Sequence, residues 1–306
     1  MRVHNLIALE NTTQKGQYLM AMGAMILTAF FWAVIEILGG LIPKGYSPVQ
    51  TVWSRYFVHI LFMLAIFGPR KRGALIRTDC IGMQIARSML MLCMPICFIF
   101  SIRLLPLNVL WFVFWSTGLV QLLFASYILH EVVSVDLWIA SIFGWAGVWL
   151  MAGAILPPFN WRLIPPLGMG VCYVIYLLMT RRMRHESAQT NLFHTAFWVV
   201  LPLSFLLPLV WKMPTLRVIG IYTGIGLSGY LVLYFLDKTM EMAPAALTAP
   251  FFFTIPLWTG ILEYIIYHKA PLPLTWLGAF IVLATSAYLV LVESIGRRHL
   301  VYSGDQ

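Results

Sequence analysis

Charge is what this sequence has least of. Asp, Glu, Lys and Arg together make up 10% of its 306 residues, against roughly a quarter in an average soluble domain. Hydrophobic residues take 61% and mean hydropathy is +0.86, more apolar surface than a water-soluble core can bury. Acidic residues are scarcer than basic ones, 11 against 20, for a formal net charge of +9. The Lys and Arg sit in short clusters between apolar runs rather than along one exposed face, which speaks for topology signals and against a nucleic-acid surface. Cysteine is nearly absent. Cys80, Cys93, Cys97 and Cys172 are scattered, three of them within apolar runs, so neither a disulfide framework nor a zinc site is indicated, and no metal is expected.

Other things are missing. There is no Walker A sequence, no room for a nucleotide-binding domain and no Ser-His-Asp arrangement, so direct ATP drive, hydrolysis and a bound cofactor are not expected. Gly224-Ile225-Gly226-Leu227-Ser228-Gly229 fits G-x-G-x-x-G, but it lies inside an apolar run with no strand before it and cannot serve a dinucleotide. Gly220 and Gly224, four apart, read instead as a close helix contact. Residues 1–16 are mostly polar, without the apolar core and small-residue cleavage site of a signal peptide.

What is present is ten apolar runs near 18–42, 48–68, 81–102, 107–129, 136–156, 164–180, 191–211, 217–236, 245–267 and 273–293. Each is long enough, or nearly so, for a membrane-spanning helix of about 20 residues. The breaks are short and carry Pro, Gly and Arg or Lys, as in Pro43-Lys44-Gly45 and Gly68-Pro69-Arg70. The expected fold is an all-α integral membrane protein.

One stretch occurs twice. Shifting residues 106–138 by 138 positions brings Pro106 onto Pro244, Phe114 onto Phe252, Leu119 onto Leu257, Ile128 onto Ile266, His130 onto His268 and Trp138 onto Trp276. Six identities in 33 positions are few, but the Pro, His and Trp landmarks keep the order of helix, break and helix. Ten helices in two like halves means five per half, so the second half enters the bilayer upside down: two inverted repeats, 17–156 and 163–295. Placing the N-terminus inside puts twelve Lys and Arg on the cytoplasmic side (Arg2, Lys15, Arg70, Lys71, Arg72, Arg77, Arg181, Arg182, Arg184, Lys238, Arg297 and Arg298). Six are left outside (Lys44, Arg103, Arg162, Lys212, Arg217 and Lys269). Both termini are therefore expected in the cytoplasm.

At this point the chain resembles the ten-helix EamA-type members of the drug/metabolite transporter superfamily. The matching pieces are Phe31-Trp32-Ala33, Ser47-Pro48 with Arg55, Leu104-Leu105-Pro106, and His130-Glu131 with Gly144. In the second half they are Met242-Ala243-Pro244-Ala245-Ala246, Pro250, Pro256 and Trp276-Leu277-Gly278. Two positions depart from the family pattern: His268-Lys269 stands where a glycine-glutamate pair is usual, and Gly118 where a proline is. The resemblance implies a carrier of small metabolites in the cytoplasmic membrane, often an exporter.

Charges within a bilayer cost ~2.5–3.5 kcal/mol on insertion scales and mark functional candidates. Glu36 and Arg55 both fall roughly 9–11 Å below the outer surface of helices 1 and 2, where they can pair, either as a structural ion pair or as a carboxylate that changes partner or protonation during transport. Thr51, Arg55 and His59 share one helix face, and His59 suits a proton step, although a packing role is the plainer reading. Glu263 lies one turn from the end of helix 9. Trp111 and Trp115 in helix 4, and Tyr230 and Tyr234 in helix 8, are candidate substrate walls, most aromatics in such a chain being interfacial or packing residues. The expected function is a secondary transporter exporting an amino acid or related compound by alternating access, with protons a candidate coupling ion and the lipid bilayer its environment. An intramembrane enzyme acting on lipid-linked substrates is the alternative, and a scaffold without transport a third.

Overall fold

The computed structural model describes residues 2–71, 75–154, 156–268, 270–295 and 301–302. Arg72, Lys269, Arg297 and Arg298, four of the charges used to orient the chain, lie outside the described residues. Among the described residues ten helical spans form an all-α multi-pass membrane protein: α1 (Arg2–Gly40), α2 (Pro48–Lys71), α3 (Ile81–Leu104), α4 (Leu107–Ile128), α5 (Val135–Met151), α6 (Trp161–Arg182), α7 (Ala188–Val210), α8 (Leu216–Met242), α9 (Ala245–Tyr267) and α10 (Pro273–Ile295). Among the described residues nine are long and apolar enough to cross a bilayer, and α5 is a shorter apolar helix of 17 residues. A two-residue antiparallel ladder joins Val132–Val133 to Val301–Tyr302.

Several helices outrun their apolar stretches. The first begins at Arg2, not near 18, and α8 continues past 236 to include Asp237, Lys238 and Glu241. Polar residues stop a hydropathy run but not a helix, whose own backbone satisfies its N–H and C=O groups wherever the chain lies. Starts are set by side chains that take up orphan N–H groups: Ser134 accepts from Leu137 N, Ser187 from Thr190 N and Thr215 from Val218 N. The fifth helix ends early, at Met151 instead of 156, because Gly153 and Ala154 turn to positive φ.

Contacts between connections sort the helix ends. The α2–α3 connection meets α6–α7 through Thr78 and Glu186, and α4–α5 meets the start of α9 through Glu131. At the other end the α1–α2 connection meets α7–α8, where the Tyr46 hydroxyl donates to Met213 O, and the Gln50 side chain at the start of α2 donates to Lys212 O and accepts from its N–H. The first group shares its end with the termini and is called the terminal end. The second is the far end.

The landmarks matched at a shift of 138 residues have matching backbones. Pro106 and Pro244 precede their helices at φ −60, ψ 145 and φ −54, ψ 144. Ser116 and Thr254 interrupt them at φ −63, ψ −10 and φ −77, ψ −11, and His130 and His268 end them in the left-handed region at φ 54 and 53. Packing repeats as well: α1 lies on α8 and α9 as α6 lies on α3 and α4, and α2 meets α7 while α5 meets α10. The last crossing is closest at Gly147 and Gly278, where a Cβ on Gly147 would stand 2.8 Å from Gly278 O.

One difference separates the halves. Glu131 accepts from Ala245 N at 3.0 Å and Ala246 N at 2.8 Å, closing the N-terminus of α9 with a carboxylate. Burial holds its pKa above the usual carboxylate range, opposed by those two N–H groups and by Arg181. At the equivalent point of the repeat the sequence has Lys269, outside the described residues.

Candidate functional site

Between the helices lies a cavity of about 660 Å³. Its mouth is at the far end, formed by the α1–α2 connection (Ile42 to Tyr46) and by Ile102 and Leu107. The walls are mostly apolar, with aromatic and methionine side chains (Trp32, Tyr56, Phe98, Trp111 and Tyr173, with Met91, Met94 and Met169) set among Ile, Leu, Val and Pro. Polar groups are few: Glu36 on α1, Thr51 and Arg55 on α2, and Lys44 at the mouth. A largely apolar wall with a few placed polar groups is the usual construction of a small-molecule site.

Glu36 and Arg55 share this cavity without forming an ion pair, contrary to the pairing expected from their depths. Glu36 Oε2 instead accepts from the Thr259 hydroxyl at 2.8 Å, while Oε1 is buried with no hydrogen-bond partner among the described residues. Arg55 is drawn the other way. Its guanidinium carbon stands 5.1 Å from the Tyr56 ring centroid, and its side chain runs beside Gly229 of α8, where a Cβ would come within 2.7 Å of Nε. Arg55 Nε and the Tyr173 hydroxyl are likewise buried without a partner. Buried polar groups are ordinarily paired; unpaired ones occur elsewhere in the fold as well, but these three belong to residues that line a cavity, where a ligand has room to reach them.

Other expected site residues are divided between the wall and what lies behind it. Thr51 and Trp111 line the cavity, whereas Trp115 stacks on Trp111 at 6.0 Å from behind. His59, on the same stripe as Arg55, is off the cavity. It is 1% exposed, its ring edge-on to Tyr230 at 5.2 Å, and neither ring nitrogen has a partner among the described residues. Tyr230 stacks on Tyr234 at 6.0 Å, and neither lines the cavity. Glu263 is exposed and also off it. Of the close helix contacts expected at Gly220 and Gly224, the second is present, a Cβ on Gly224 lying 3.0 Å from Leu38 of α1, whereas Gly220 has open space around it; tighter approaches fall at Gly226 and Gly229, where a Cβ on Gly226 would meet Val58 at 2.5 Å.

A second polar cluster was not singled out from sequence. Arg87 on α3 is fully buried, donating through Nη1 to Thr180 Oγ1 at 3.0 Å and through Nη2 to Asn191 O at 2.7 Å, Thr195 Oγ1 at 2.9 Å and Gln84 Oε1 at 3.2 Å. Gln84 Nε2 donates to Asn191 Oδ1 at 2.8 Å. Asp237 on α8, 4% exposed, supplies the counter-charge at 3.7 Å, and the Tyr176 ring centroid lies 4.9 Å from the guanidinium carbon. Four helices, α3, α6, α7 and α8, are tied together at the terminal end, where the cavity does not open. The available signal was Arg87 itself, a cation inside an apolar run.

Residues 163–291 match the EamA-like transporter family. Two relatives are each named an S-adenosylmethionine uptake transporter. The Rickettsia conorii protein is 23% identical over 273 residues, 88% of this chain and 84% of that protein, and the Rickettsia bellii protein is 23% identical over 265 residues, 86% and 82%. A riboflavin transporter of Vibrio cholerae is 23% identical over 169 residues, 54% of this chain and 56% of that one. A solved crystal structure superposes with a TM-score of 0.75 over 92% of this chain and 99% of its own, at 15% identity, a likeness of fold. Residues 163–291 thus resemble the EamA-like transporters, and the relatives matched along this chain are named as transporters of small molecules.

Proposed function

We propose that the protein is a secondary transporter that carries an amino-acid-related metabolite bearing both a cation and an anion, of the S-adenosylmethionine kind, across the cytoplasmic membrane by alternating access. The observation that carries this is the cavity in which Glu36 Oε1 and Arg55 Nε remain without partners between aromatic walls. A substrate with an ammonium or sulfonium near Glu36 and a carboxylate near Arg55 satisfies both. The Trp32, Tyr56 and Trp111 rings add aromatic surface that suits a cation or a planar base. The names of the relatives favour uptake over the export expected from sequence.

The matched backbones at Pro106 and Pro244, Ser116 and Thr254, and His130 and His268 support two inverted repeats, 17–156 and 163–295, as the moving halves. With the terminal end cytoplasmic, as the charge count favours, the cavity faces outward and the Arg87 cluster closes the inner side. Glu36 is the candidate proton-coupling group, a carboxylate that lines the cavity and makes no ion pair with Arg55.

The test is counterflow of labelled S-adenosylmethionine in proteoliposomes, with riboflavin and a neutral amino acid as competitors and an imposed pH gradient as a second variable. Exchange that is inhibited by unlabelled substrate, lost in Glu36→Gln and stimulated by the gradient in the parent supports the reading. Riboflavin as the sole effective competitor would replace the zwitterion with an uncharged ring substrate. Stimulation that survives in Glu36→Gln would remove that residue from coupling.

A further inference from the structure

Cys80 is more than a hundred residues from the adjacent pair His185-Glu186 in the sequence, and the spacing suggests no metal site. In the fold the Sγ, an imidazole nitrogen and a carboxylate oxygen lie within 4.8 Å of one another. Cys80 stands immediately before α3, and His185 and Glu186 immediately before Ser187, which caps α7. The approach is fixed: Thr78 Oγ1 donates to Glu186 Oε1 at 2.9 Å and Asp79 N donates to the same oxygen at 3.1 Å. Cys80 N in turn donates to Thr78 Oγ1 at 3.2 Å. Both bonds to Glu186 use Oε1, which orients the carboxylate and leaves its other oxygen for a ligand, the outer-sphere support that metal sites rely on. Cys80 and Glu186 are half-buried and His185 is exposed, so an ion has a way in.

We propose that Cys80, His185 and Glu186 form a binding site for a divalent cation of the zinc type, which staples the α2–α3 connection to the α6–α7 connection at the terminal end. A thiolate, an imidazole and a carboxylate are donors zinc accepts together, with a fourth tetrahedral position left to water. Calcium and magnesium, which favour all-oxygen shells, fit this set poorly. Bonds of ~2.0–2.3 Å place tetrahedral ligand atoms roughly 3.3–3.8 Å apart, so the cluster contracts by about an ångström on binding, a movement the exposed His185 side chain supplies. The Cys80 thiol gives its proton to solvent as the metal bond forms. No electron transfer is involved.

The staple sits above the polar contacts that close this end. Gln84 and Arg87, on the helix that follows Cys80, are bonded to Asn191, on the helix that follows Glu186. An ion held between the two helix starts opposes any separation of α3 from α7, and so holds the transporter in the state open at the far end. This effect on transport rests on the alternating-access reading. The binding does not.

The test titrates the full-length protein in lipid nanodiscs with Co²⁺, whose near-ultraviolet thiolate charge-transfer absorption reports a Co–S bond. The expected result is a band that saturates at one ion per chain, is displaced by Zn²⁺ and not by Mg²⁺, disappears in Cys80→Ser and persists in Cys93→Ser. No band in the parent, or a band that survives Cys80→Ser, overturns the site. Should Cys80→Ser fail to fold, His185→Ala at its exposed position decides: affinity falls about tenfold or more, a loss of the size that metal sites show when their supporting groups are removed, and an unchanged affinity overturns the site. Counterflow separates the two parts of the proposal. Slowing by Zn²⁺ in the parent and not in His185→Ala supports the staple, and binding without slowing overturns the staple alone.

Discussion

Arg55 and Arg87 are two arginines placed well inside helices of the first half, and the fold treats them in opposite ways. Arg87 is surrounded: two neighbouring helices present acceptors to its two terminal nitrogens, a carboxylate on a third stands 3.7 Å away and an aromatic ring covers one face. Arg55 faces a cavity, and the nearby carboxylate of Glu36 is held by Thr259 instead. A cation in a low-dielectric interior is tolerated when its hydrogen bonds are met and is costly when they are not. What separates the two is space rather than full pairing: Arg87 Nε, both Asp237 oxygens and the Tyr176 hydroxyl also lack hydrogen-bond partners among the described residues, but they are packed between helices, whereas Arg55 and Glu36 line a cavity that a ligand can enter. The difference also separates the two ends: the terminal end is tied across four helices, while the far end opens into about 660 Å³ of cavity.

That contrast breaks most visibly at Asp237. Asp237→Ala leaves Arg87 charged and without its counter-ion, a loss that can reach ~3–5 kcal/mol, read as a fall in the thermal unfolding midpoint in detergent. Arg87→Met combined with Asp237→Leu loses less, because no lone charge remains. A midpoint unmoved by Asp237→Ala would mean that the terminal end is not held by this pair. Gly229→Ala is the matching test at the open end. The added methyl would lie 2.7 Å from Arg55 Nε, so the side chain must move, with an overpacking cost of ~1–3 kcal/mol and a larger proportional loss in substrate affinity than in stability.

Smaller effects sharpen the contrast. Thr259→Val removes the 2.8 Å hydrogen bond to Glu36, leaving the carboxylate to the Trp32 and Trp115 side chains, and costs ~0.5–1.5 kcal/mol in unfolding, measured in the absence of substrate. Smallest of all is the coupling between Glu36 and Arg55. With no ion pair between them, a double-mutant cycle of Glu36→Gln and Arg55→Gln gives an interaction term within ~0.5 kcal/mol. A term of several kcal/mol would restore the pair and close the cavity's chemistry on itself.

The ten helices, the shift of 138 residues and the placing of Glu36, Arg55, Thr51 and Trp111 were legible because they rest on local signals: run length, punctuation, and charge within an apolar stretch. Choice of partner was not. Depth along two adjacent helices brought Glu36 and Arg55 level, but Thr259, 223 residues beyond Glu36, decides the bond, and no periodicity reports which of several neighbouring helices comes closest. His59, Tyr230 and Tyr234 were on plausible faces and ended behind the wall, since a helix face 100° wide meets more than one neighbour. Arg87 lies in the middle of an apolar run with no acid beside it in sequence, and its counter-charge, Asp237, lies beyond the apparent end of another run, 150 residues on, so hydropathy alone does not bring the two together.

The most direct measurement is labelling of a single cysteine at Thr51→Cys in a background lacking the four native cysteines, using a membrane-impermeant thiol reagent applied from each side with and without S-adenosylmethionine. Thr51 lines the cavity without belonging to the Glu36 and Arg55 pair of polar anchors. Reaction from the far-end side, slowed by substrate in the parent background and no longer slowed after Glu36→Gln, is the predicted result. Labelling only from the terminal side, or at a rate that neither S-adenosylmethionine nor riboflavin alters, would contradict the assignment of this cavity as the substrate site.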